Sequence, residues 1–189
     1  MAPEPGPFLA RALGGVGTRL QRSGLGLGAL DSAVAGRDAG RMDDHAELRL
    51  VADRLAIYDL LARYSTAIDT KNFALLDEVF TADGIGDYTA SGGIRGTLPE
   101  LKKWLAQALS IFTVVQHLVT NVTVEIRGND AKSTCYLFNP LGYPRDDGTI
   151  EMLYCGGLYH DRLIRTPKGW RIRERVIETQ YLDGKLPGA

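Results

Sequence analysis

Asp69 and His117 are the residues of this sequence whose types could together perform acid–base chemistry. At about 100° per helical residue, Asp69 projects in the direction of Val51 and Tyr58, on the apolar side of a predicted helix. A buried carboxylate without a partner would cost several kcal/mol. His117 lies in the apolar run 114–119, and an imidazole can exchange protons near neutral pH. We predict an acid–base pair; the alternatives are an Asp69 that closes its helix and a His117 that packs in the core.

His117 can face inward only if its strand is irregular. Side chains alternate between the two faces of a strand, so a regular strand would place His117 on the face of Thr123, Glu125 and Arg127, which look solvent-facing. A bulge adds one residue and reverses this alternation. We therefore expect a bulge or strong bend near 120–122, or a first half of the strand that is buried on both faces.

Three helices are predicted before the strands. An aspartate at position 43 or 44 can cap the first, which runs to about Asp69. A short second helix covers 73–80, and Thr97 caps a third that reaches about residue 110. The apolar half of the first helix contains Leu50, Val51, Leu55, Ile57, Tyr58, Leu61, Ala62, Tyr64, Ser65 and Ile68.

Strands dominate the rest of the chain. A strand is predicted around 86–89, followed by long strands over 112–127, 131–139, 150–165 and 170–182. Turn residues separate the long strands, and the last two form a hairpin. Helices followed by four long antiparallel strands indicate an α+β fold in which helices cover one face of a curved sheet.

Composition restricts the possible partners. The formal net charge is −1, from 22 basic and 23 acidic residues, so the sequence predicts no nucleic-acid partner and no membrane partner. No apolar run approaches the roughly 20 residues that cross a bilayer. Cys135 and Cys155 are predicted to be buried reduced thiols, which fits a cytoplasmic location. No cysteine or histidine spacing suggests a metal, and we predict none.

The chain is predicted to contain one folded domain with two extensions. Residues 1–41 are rich in Gly, Ala and Arg and lack a sustained apolar period, so we expect a disordered N-terminal extension. The domain covers 44–184, and 185–189 form a flexible C-terminus.

Several motifs resemble the SnoaL-like branch of the nuclear transport factor 2-like superfamily. They are Ala56–Tyr64, Asp69, Leu76 with Val79–Asp83, Gln116–Asn121, Gly157–Arg162 and Gly169–Ile172. The resemblance implies a cone-shaped α+β barrel, with three N-terminal helices packed on a strongly curved, mostly antiparallel sheet. A pocket is then expected between the long first helix and the sheet.

The resemblance also implies a site. Scytalone dehydratase-like and bile-acid dehydratase-like enzymes pair a Tyr and an Asp of the first helix with a His of the sheet, and Tyr64, Asp69 and His117 match those positions. The bile-acid type has a further acid where this chain has Asn139, and this departure affects which reaction is expected. Paired tyrosines of the scytalone type could be Tyr58 and Tyr64. The predicted substrate-binding residues are Tyr58, Asn121, Asn139, Tyr159 and Arg175.

These residues predict a cofactor-independent lyase or isomerase, dehydratase-like, that acts on a carbonyl-bearing cyclic, polyketide or steroid-like molecule. His117 would move the proton, Asp69 would orient the imidazole, and Tyr64 would donate to the carbonyl oxygen. The alternatives are a non-catalytic binder, a polyketide cyclase, or an epoxide hydrolase that uses Asp69, Asp161 and Arg175. The binder predicts that Asp69 and His117 do not touch, or that the pocket is too small or too wet. The expected partners are a hydrophobic small-molecule substrate or ligand and further copies of the chain, as a homodimer or higher homo-oligomer.

Overall fold

A computed structural model describes residues 29–185, with side chains described from residue 43 onward. The chain divides into two compact units, Met1–Asp43 and Asp44–Ala189, and the second contains the sheet and the site. The predicted extension lies mostly outside the described residues, as does most of the predicted C-terminus, so both stay predictions. No helix in the described part of the chain is long and apolar enough to cross a membrane.

The elements follow the predicted order. The helices are α1 (Ala29–Asp69), a 3-10 helix (Phe73–Glu78), a single 3-10 turn (Thr89–Ser91) and α2 (Leu98–Ala108). The strands are β1 (Phe80–Asp87), β2 (Arg95–Thr97), β3 (Val114–Val115), β4 (Leu118–Arg127), β5 (Asp130–Pro144), β6 (Ile150–Thr166) and β7 (Gly169–Asp183).

The seven strands form one sheet in the order β2-β1-β7-β6-β5-β3, with β4 also paired to β5. Only β1 and β7 run parallel; the other neighbours are antiparallel. Three helices, α1, the 3-10 helix and α2, pack on the strongly curved sheet, which confirms the predicted α+β class. The register shifts between Gly156 and Gly157, where a side chain on Gly157 would come within 2.1 Å of the Glu178 carbonyl oxygen. Glycine therefore permits the close strand approach at this bend.

Helix α1 differs from the prediction at its start. It begins at Ala29 instead of near residue 44. Its apolar half is also buried only in part: Leu50, Val51 and Leu55 are exposed, as is Tyr58. The buried stripe contains Ile57, Leu60, Leu61, Tyr64, Ala67 and Ile68.

The contacts of Asp53 explain why the buried stripe of α1 differs from the predicted apolar half. Its carboxylate accepts hydrogen bonds from Arg165, with Nη1 2.6 Å from Oδ1, and from the Trp170 indole at 3.1 Å. The Arg165 guanidinium also stacks on the Trp170 ring, 4.4 Å from its centroid. These contacts turn Asp53 toward the β6–β7 hairpin. Ile57 lies about one helical turn after Asp53 on the same side of α1, and the buried stripe begins there.

The expected irregularity in the His117 strand is present. The pairing of β4 with β5 shifts register between Thr120 and Thr123, and Asn121 between them has a left-handed φ of 51°. Beyond the shift, Val124 is buried whereas Thr123 is exposed. The bulge therefore reverses the alternation, so His117 can point inward while the later polar residues face solvent.

Helix α2 begins as predicted. The Thr97 amide and hydroxyl both donate to the Glu100 carboxylate, at 2.8 and 2.7 Å, in a capping box. Leu98, Leu101 and Leu105 are its buried residues. The helix packs against β1, β2 and the 3-10 helix and supplies part of the cavity wall described below.

Candidate active site

Asp69 and His117 are in direct contact. Asp69 Oδ1 lies 2.7 Å from His117 Nδ1, and Asp69 Oδ2 accepts a hydrogen bond from the His117 backbone N–H at 3.0 Å. The carboxylate therefore fixes both the chain and the ring of His117. The imidazole is 5% exposed and Asp69 26% exposed. A carboxylate that accepts from Nδ1–H leaves Nε2 as the basic ring atom.

The position of His117 differs from the prediction in one respect. It was expected in the middle of a strand, but it lies in the break between β3 and β4. Asn139 on β5 bridges that break, because its side-chain amide donates to the Gln116 carbonyl oxygen at 2.7 Å. The Asn139 Nδ2 atom also lies 3.5 Å from His117 Nδ1. Asn139 is buried and supports the chain segment that presents His117.

Two tyrosine hydroxyls meet beside the imidazole. The Tyr64 and Tyr88 hydroxyl oxygens lie 2.8 Å apart, and the Tyr64 ring packs edge-on against His117 with centroids 6.2 Å apart. Burial, then the neighbouring Tyr64, raises the pKa of Tyr88 well above its ordinary value. Tyr88 is therefore protonated at neutral pH. Since the shared hydrogen bond uses one of the two hydroxyl protons, the other is available to a ligand.

Tyr88 was missing from the sequence prediction, which proposed Tyr58 as the partner of Tyr64. Tyr58 is half-exposed and donates to the Val122 carbonyl oxygen at 3.2 Å. Tyr88 follows β1, where the turn through Gly92 returns the chain to β2. The Tyr88 ring also packs on Trp104 of α2, with centroids 5.5 Å apart. No local pattern marks this residue, because its position depends on how β1 pairs with β7.

A cavity of about 270 Å³ lies between α1, α2 and the sheet. Its polar lining includes Tyr64, Tyr88, His117 and Asn139. Apolar and aromatic side chains make up most of the remainder, among them Ile68, Trp104, Leu105, Phe112, Leu137, Leu141, Leu153, Tyr159 and Ile177. An apolar cavity with a few converging polar groups is the usual form of a small-molecule site.

The predicted substrate-binding residues divide into two groups. Asn139 and Tyr159 line the cavity. Tyr58, Asn121 and Arg175 are not part of its lining: Tyr58 is bonded to the backbone of β4, and Asn121 is exposed at the bulge. The substrate-binding set is revised accordingly.

Arg175 is fully buried behind the cavity wall and pairs with the buried Asp161. Its Nε and Nη2 atoms donate to the two carboxylate oxygens at 2.7 and 2.8 Å. Its guanidinium carbon lies 4.0 Å from the Tyr64 ring centroid and 4.1 Å from that of Tyr159. The carboxylate and arginine of the epoxide-hydrolase alternative are thus bound to each other, away from Asp69.

The two cysteines are buried, as predicted. Burial raises the pKa of the Cys135 thiol to about 11, and burial also raises that of Cys155, which lines the cavity. Both are protonated at neutral pH and are poor nucleophiles. Among the described side chains, no group of three or more His, Cys, Asp or Glu could hold a metal ion.

A second, larger groove of about 610 Å³ lies among charged side chains of both signs on the strands. Several of these pair with one another: Arg162 lies 3.7 Å from Glu174, and Arg127 lies 3.9 Å from Glu125. Neither the acid–imidazole pair nor the tyrosine pair belongs to it. We interpret the groove as a solvated face of the sheet.

The chain has the fold of the nuclear transport factor 2-like class of proteins. An NTF2-like protein with a cystatin-like fold from Novosphingobium aromaticivorans aligns with a TM-score of 0.60 at 24% identity, over 78% of this chain and 91% of that one. A hexachlorocyclohexane dehydrochlorinase, LinA type 2, aligns with a TM-score of 0.63 at 17% identity, over 76% and 99%.

Within this class, the chain belongs to the SnoaL-like domain family, whose model matches residues 49–176. The uncharacterized protein Rv2910c of Mycobacterium tuberculosis is 45% identical over 126 residues, which cover 67% of this chain and 84% of that protein. The match to the family model includes both Asp69 and His117.

Proposed function

We propose that this protein is a cofactor-independent lyase that removes water from a carbonyl-bearing cyclic small molecule by acid–base catalysis. The observation that carries the proposal is the contact between Asp69 and His117 at the wall of an apolar cavity, next to the Tyr64–Tyr88 hydroxyl pair. These groups supply a base, a residue that orients it and a hydrogen-bond donor for a developing oxyanion.

The first step is removal of a proton from the carbon next to the substrate carbonyl. His117 takes this proton at Nε2, and the electron pair of the broken C–H bond moves onto the carbonyl oxygen as an enolate. Tyr64 or Tyr88 donates to that oxygen, and the hydrogen bond between the two hydroxyls polarises the donor further. Asp69 stabilises the protonated imidazole that results.

The second step expels a hydroxyl group from the carbon one position further on. The enolate reforms the carbonyl, a carbon–carbon double bond forms, and the carbon–oxygen bond breaks. Protonated His117 delivers its proton to the leaving oxygen, which departs as water, and the imidazole is restored. If the proton returned to another carbon instead, the same residues would catalyse an isomerisation.

Two further observations support chemistry over simple binding. Separate Asp69 and His117 side chains were one of the two outcomes that a non-catalytic binder predicted, and their atoms lie 2.7 Å apart. The dehydrochlorinase LinA, whose fold this chain shares, catalyses an elimination according to its name. Loss of water from a β-hydroxy ketone is also an elimination, initiated by proton removal.

The test is a dehydration assay on β-hydroxy ketones with one and two rings, beginning with 3-hydroxycyclohexanone. Loss of water gives cyclohexenone, whose conjugated carbonyl absorbs in the ultraviolet. We expect wild-type protein to accelerate this reaction and His117→Gln to lower the rate roughly 10²–10⁴-fold, the usual contribution of a positioned base.

His160→Gln is the matched control, because His160 lies outside the cavity and contacts Thr134 and Glu178. This variant should keep the wild-type rate. Full activity of His117→Gln, or no turnover of any ketone by the wild type, would contradict the proposal.

We also propose that two copies associate through the outer face of the sheet. Leu118, Tyr136, Phe138 and Tyr181 are exposed there, and Phe138 stacks on Tyr154 with ring centroids 6.0 Å apart. Cross-strand pairing of Leu118 with Phe138, and of Phe138 with Gly156 under Tyr181, makes the patch continuous. An aromatic patch beside mixed charges resembles an interface core and its rim, and charges of both signs can complement those of a second copy.

A further inference from the structure

The described part of the chain holds a buried ion pair that does not reach the cavity. Arg175 is 0% exposed and Asp161 3% exposed, and two parallel hydrogen bonds join them. Ser133 donates to the same carboxylate at 3.2 Å. Asp161 is therefore well satisfied, and it holds the guanidinium plane in one orientation.

This pair is a poor choice if stability were its only role. Removing two charges from water costs free energy that their attraction barely repays, and apolar side chains of similar volume often serve as well or better. The remaining nitrogen, Arg175 Nη1, has no hydrogen-bond partner among the described residues. An unsatisfied buried donor adds a further cost. A role in the site would explain why such a pair lies here.

The guanidinium group lies over two rings that line the cavity. It lies about equally close to Tyr64 and Tyr159, whose ring centroids are 5.7 Å apart at an interplanar angle of 78°. Cation–π attraction joins the guanidinium group to both rings. Because Arg175 holds the Tyr64 ring in place, it also holds the Tyr64 hydroxyl oxygen in its position 2.8 Å from that of Tyr88.

We infer that Arg175, oriented by Asp161, is a positioning residue that fixes the Tyr64 hydroxyl where a substrate oxygen must bind. The inference rests on the proposed function for the claim that a substrate oxygen binds there. The contact between Arg175 and Tyr64 does not depend on that function. Arg175 acts through Tyr64 and touches no substrate. A guanidinium is suited to this role because its flat face can stack on a ring while its edge pairs with a carboxylate.

A double-mutant cycle on the binding of 2-naphthol tests this inference. 2-Naphthol is a fluorescent two-ring phenol whose oxygen can bind at the tyrosine pair. Its dissociation constant is measured for wild type and Tyr64→Phe, and then for both in an Arg175→Met/Asp161→Leu background. Tyr64→Phe keeps the ring and removes only the hydroxyl, so the cycle isolates the hydroxyl's dependence on Arg175.

The paired substitution removes both charges and leaves no buried ion without a partner, so the fold should persist. Arg175→Lys provides a second background that keeps a cation for Asp161 but loses the flat stacking surface. Thermal unfolding of each background confirms that it is folded. Phe112→Leu gives the control cycle, because Phe112 lines the cavity and packs on Tyr143.

We expect Tyr64→Phe to weaken 2-naphthol binding roughly fivefold or more in the wild-type protein, the size of one lost hydrogen bond. In either Arg175 background the same change should alter binding less than about twofold, because the hydroxyl is no longer held in place. The effect of Phe112→Leu should be the same in all backgrounds.

Equal effects of Tyr64→Phe in every background would overturn the inference, since they would show that Tyr64 is positioned without Arg175. Failure of wild type to bind 2-naphthol would overturn it too. The cycle measures binding and needs no turnover. Coupling between Tyr64 and Arg175 without any ketone dehydration would reject the proposed function and keep the positioning role. Dehydration with additive binding effects would keep the proposed function and reject the positioning role.

Discussion

Asp69 contacts His117 at two points, and each contact has a distinct consequence. The bond to the backbone N–H fixes where the segment between β3 and β4 passes the helix, and the bond to Nδ1 fixes the ring within that segment. A carboxylate can accept both hydrogen bonds at once. An imidazole held in this way presents the same nitrogen to the cavity at all times.

Asp69→Asn tests whether the carboxylate holds the His117 ring in the tautomer with its proton on Nδ1. The amide keeps the shape of the side chain, but its NH₂ group, if turned toward Nδ1, would favour the tautomer with the proton on Nε2, where the base is needed. We expect ketone dehydration to fall by about 10²-fold or more. Nitrogen-15 NMR of the His117 ring should show the proton move from Nδ1 to Nε2.

Asp83→Asn, at an exposed aspartate outside the cavity, is the control and should leave both readouts unchanged. An Asp69→Asn protein with the wild-type rate and the wild-type tautomer would show that the carboxylate has no part in orienting the base.

At this scale the sequence was informative about residues that are out of place in their local pattern. A carboxylate on an apolar helix face and a histidine in an apolar run can be recognised from the sequence alone, and in the structure Asp69 and His117 are in contact. Tyr88 and Arg175 lacked such a signal. An inward-facing residue of a curved sheet can line a cavity or lie behind its wall, and only three-dimensional packing decides which.

The bulge in β4 is the element on which the orientation of the histidine depends. Asn121 at this bulge has a left-handed φ, a conformation that asparagine adopts more readily than most residues. Alternation along the strand, together with the need for His117 to face inward, was sufficient to predict the bulge near 120–122. Which side of α1 is buried was not predictable to the same degree, because it depends on contacts that Asp53 makes with a hairpin more than 100 residues away.

Asp53→Asn tests the attachment of α1 to the β6–β7 hairpin. The hydrogen bonds from Arg165 hold the pKa of Asp53 below its ordinary value of 3.8. The folded state therefore binds a proton less readily than the unfolded chain does. The carboxylate contributes its full stabilisation above pH 3.8 and loses it as the pH falls through the lowered pKa.

We expect Asp53→Asn to lower the free energy of unfolding by about 1–2 kcal/mol at pH 7. The difference from wild type should shrink once the pH falls below 3.8. Urea denaturation across this range measures both values. Asp59→Asn, an exposed position on the same helix, should be nearly neutral; a loss for Asp53→Asn that does not vary with pH would mean that packing, and not charge, is responsible.

The whole molecule was the most predictable level. Helices followed by long strands define the α+β class, and the resemblance to SnoaL-like domains identified the curved sheet that the structure shows. The enclosed cavity follows from this curvature, because α1 and α2 close the concave side. The outer face depends on a different feature: which side chains the alternation leaves exposed once the inner face is buried.

Phe138→Glu tests the proposed pairing through that face. A buried, unpaired charge at the centre of an interface is costly, so the variant should be a monomer where wild type is a dimer. Size-exclusion chromatography with light scattering measures the mass of each. Leu55→Glu, at an exposed apolar position of α1, should not change it. A monomeric wild-type protein, or a dimeric Phe138→Glu variant, would reject this face as the interface.

The most direct test of the central claim is proton exchange, because it observes the first chemical step without requiring the natural substrate. Cyclohexanone is incubated with the protein in deuterated water, and NMR follows the loss of the protons next to the carbonyl. Wild-type protein should exchange them well above the buffer rate, His117→Gln at the buffer rate, and His160→Gln like wild type. Equal exchange by the wild type and His117→Gln would contradict the assignment of His117 as the base.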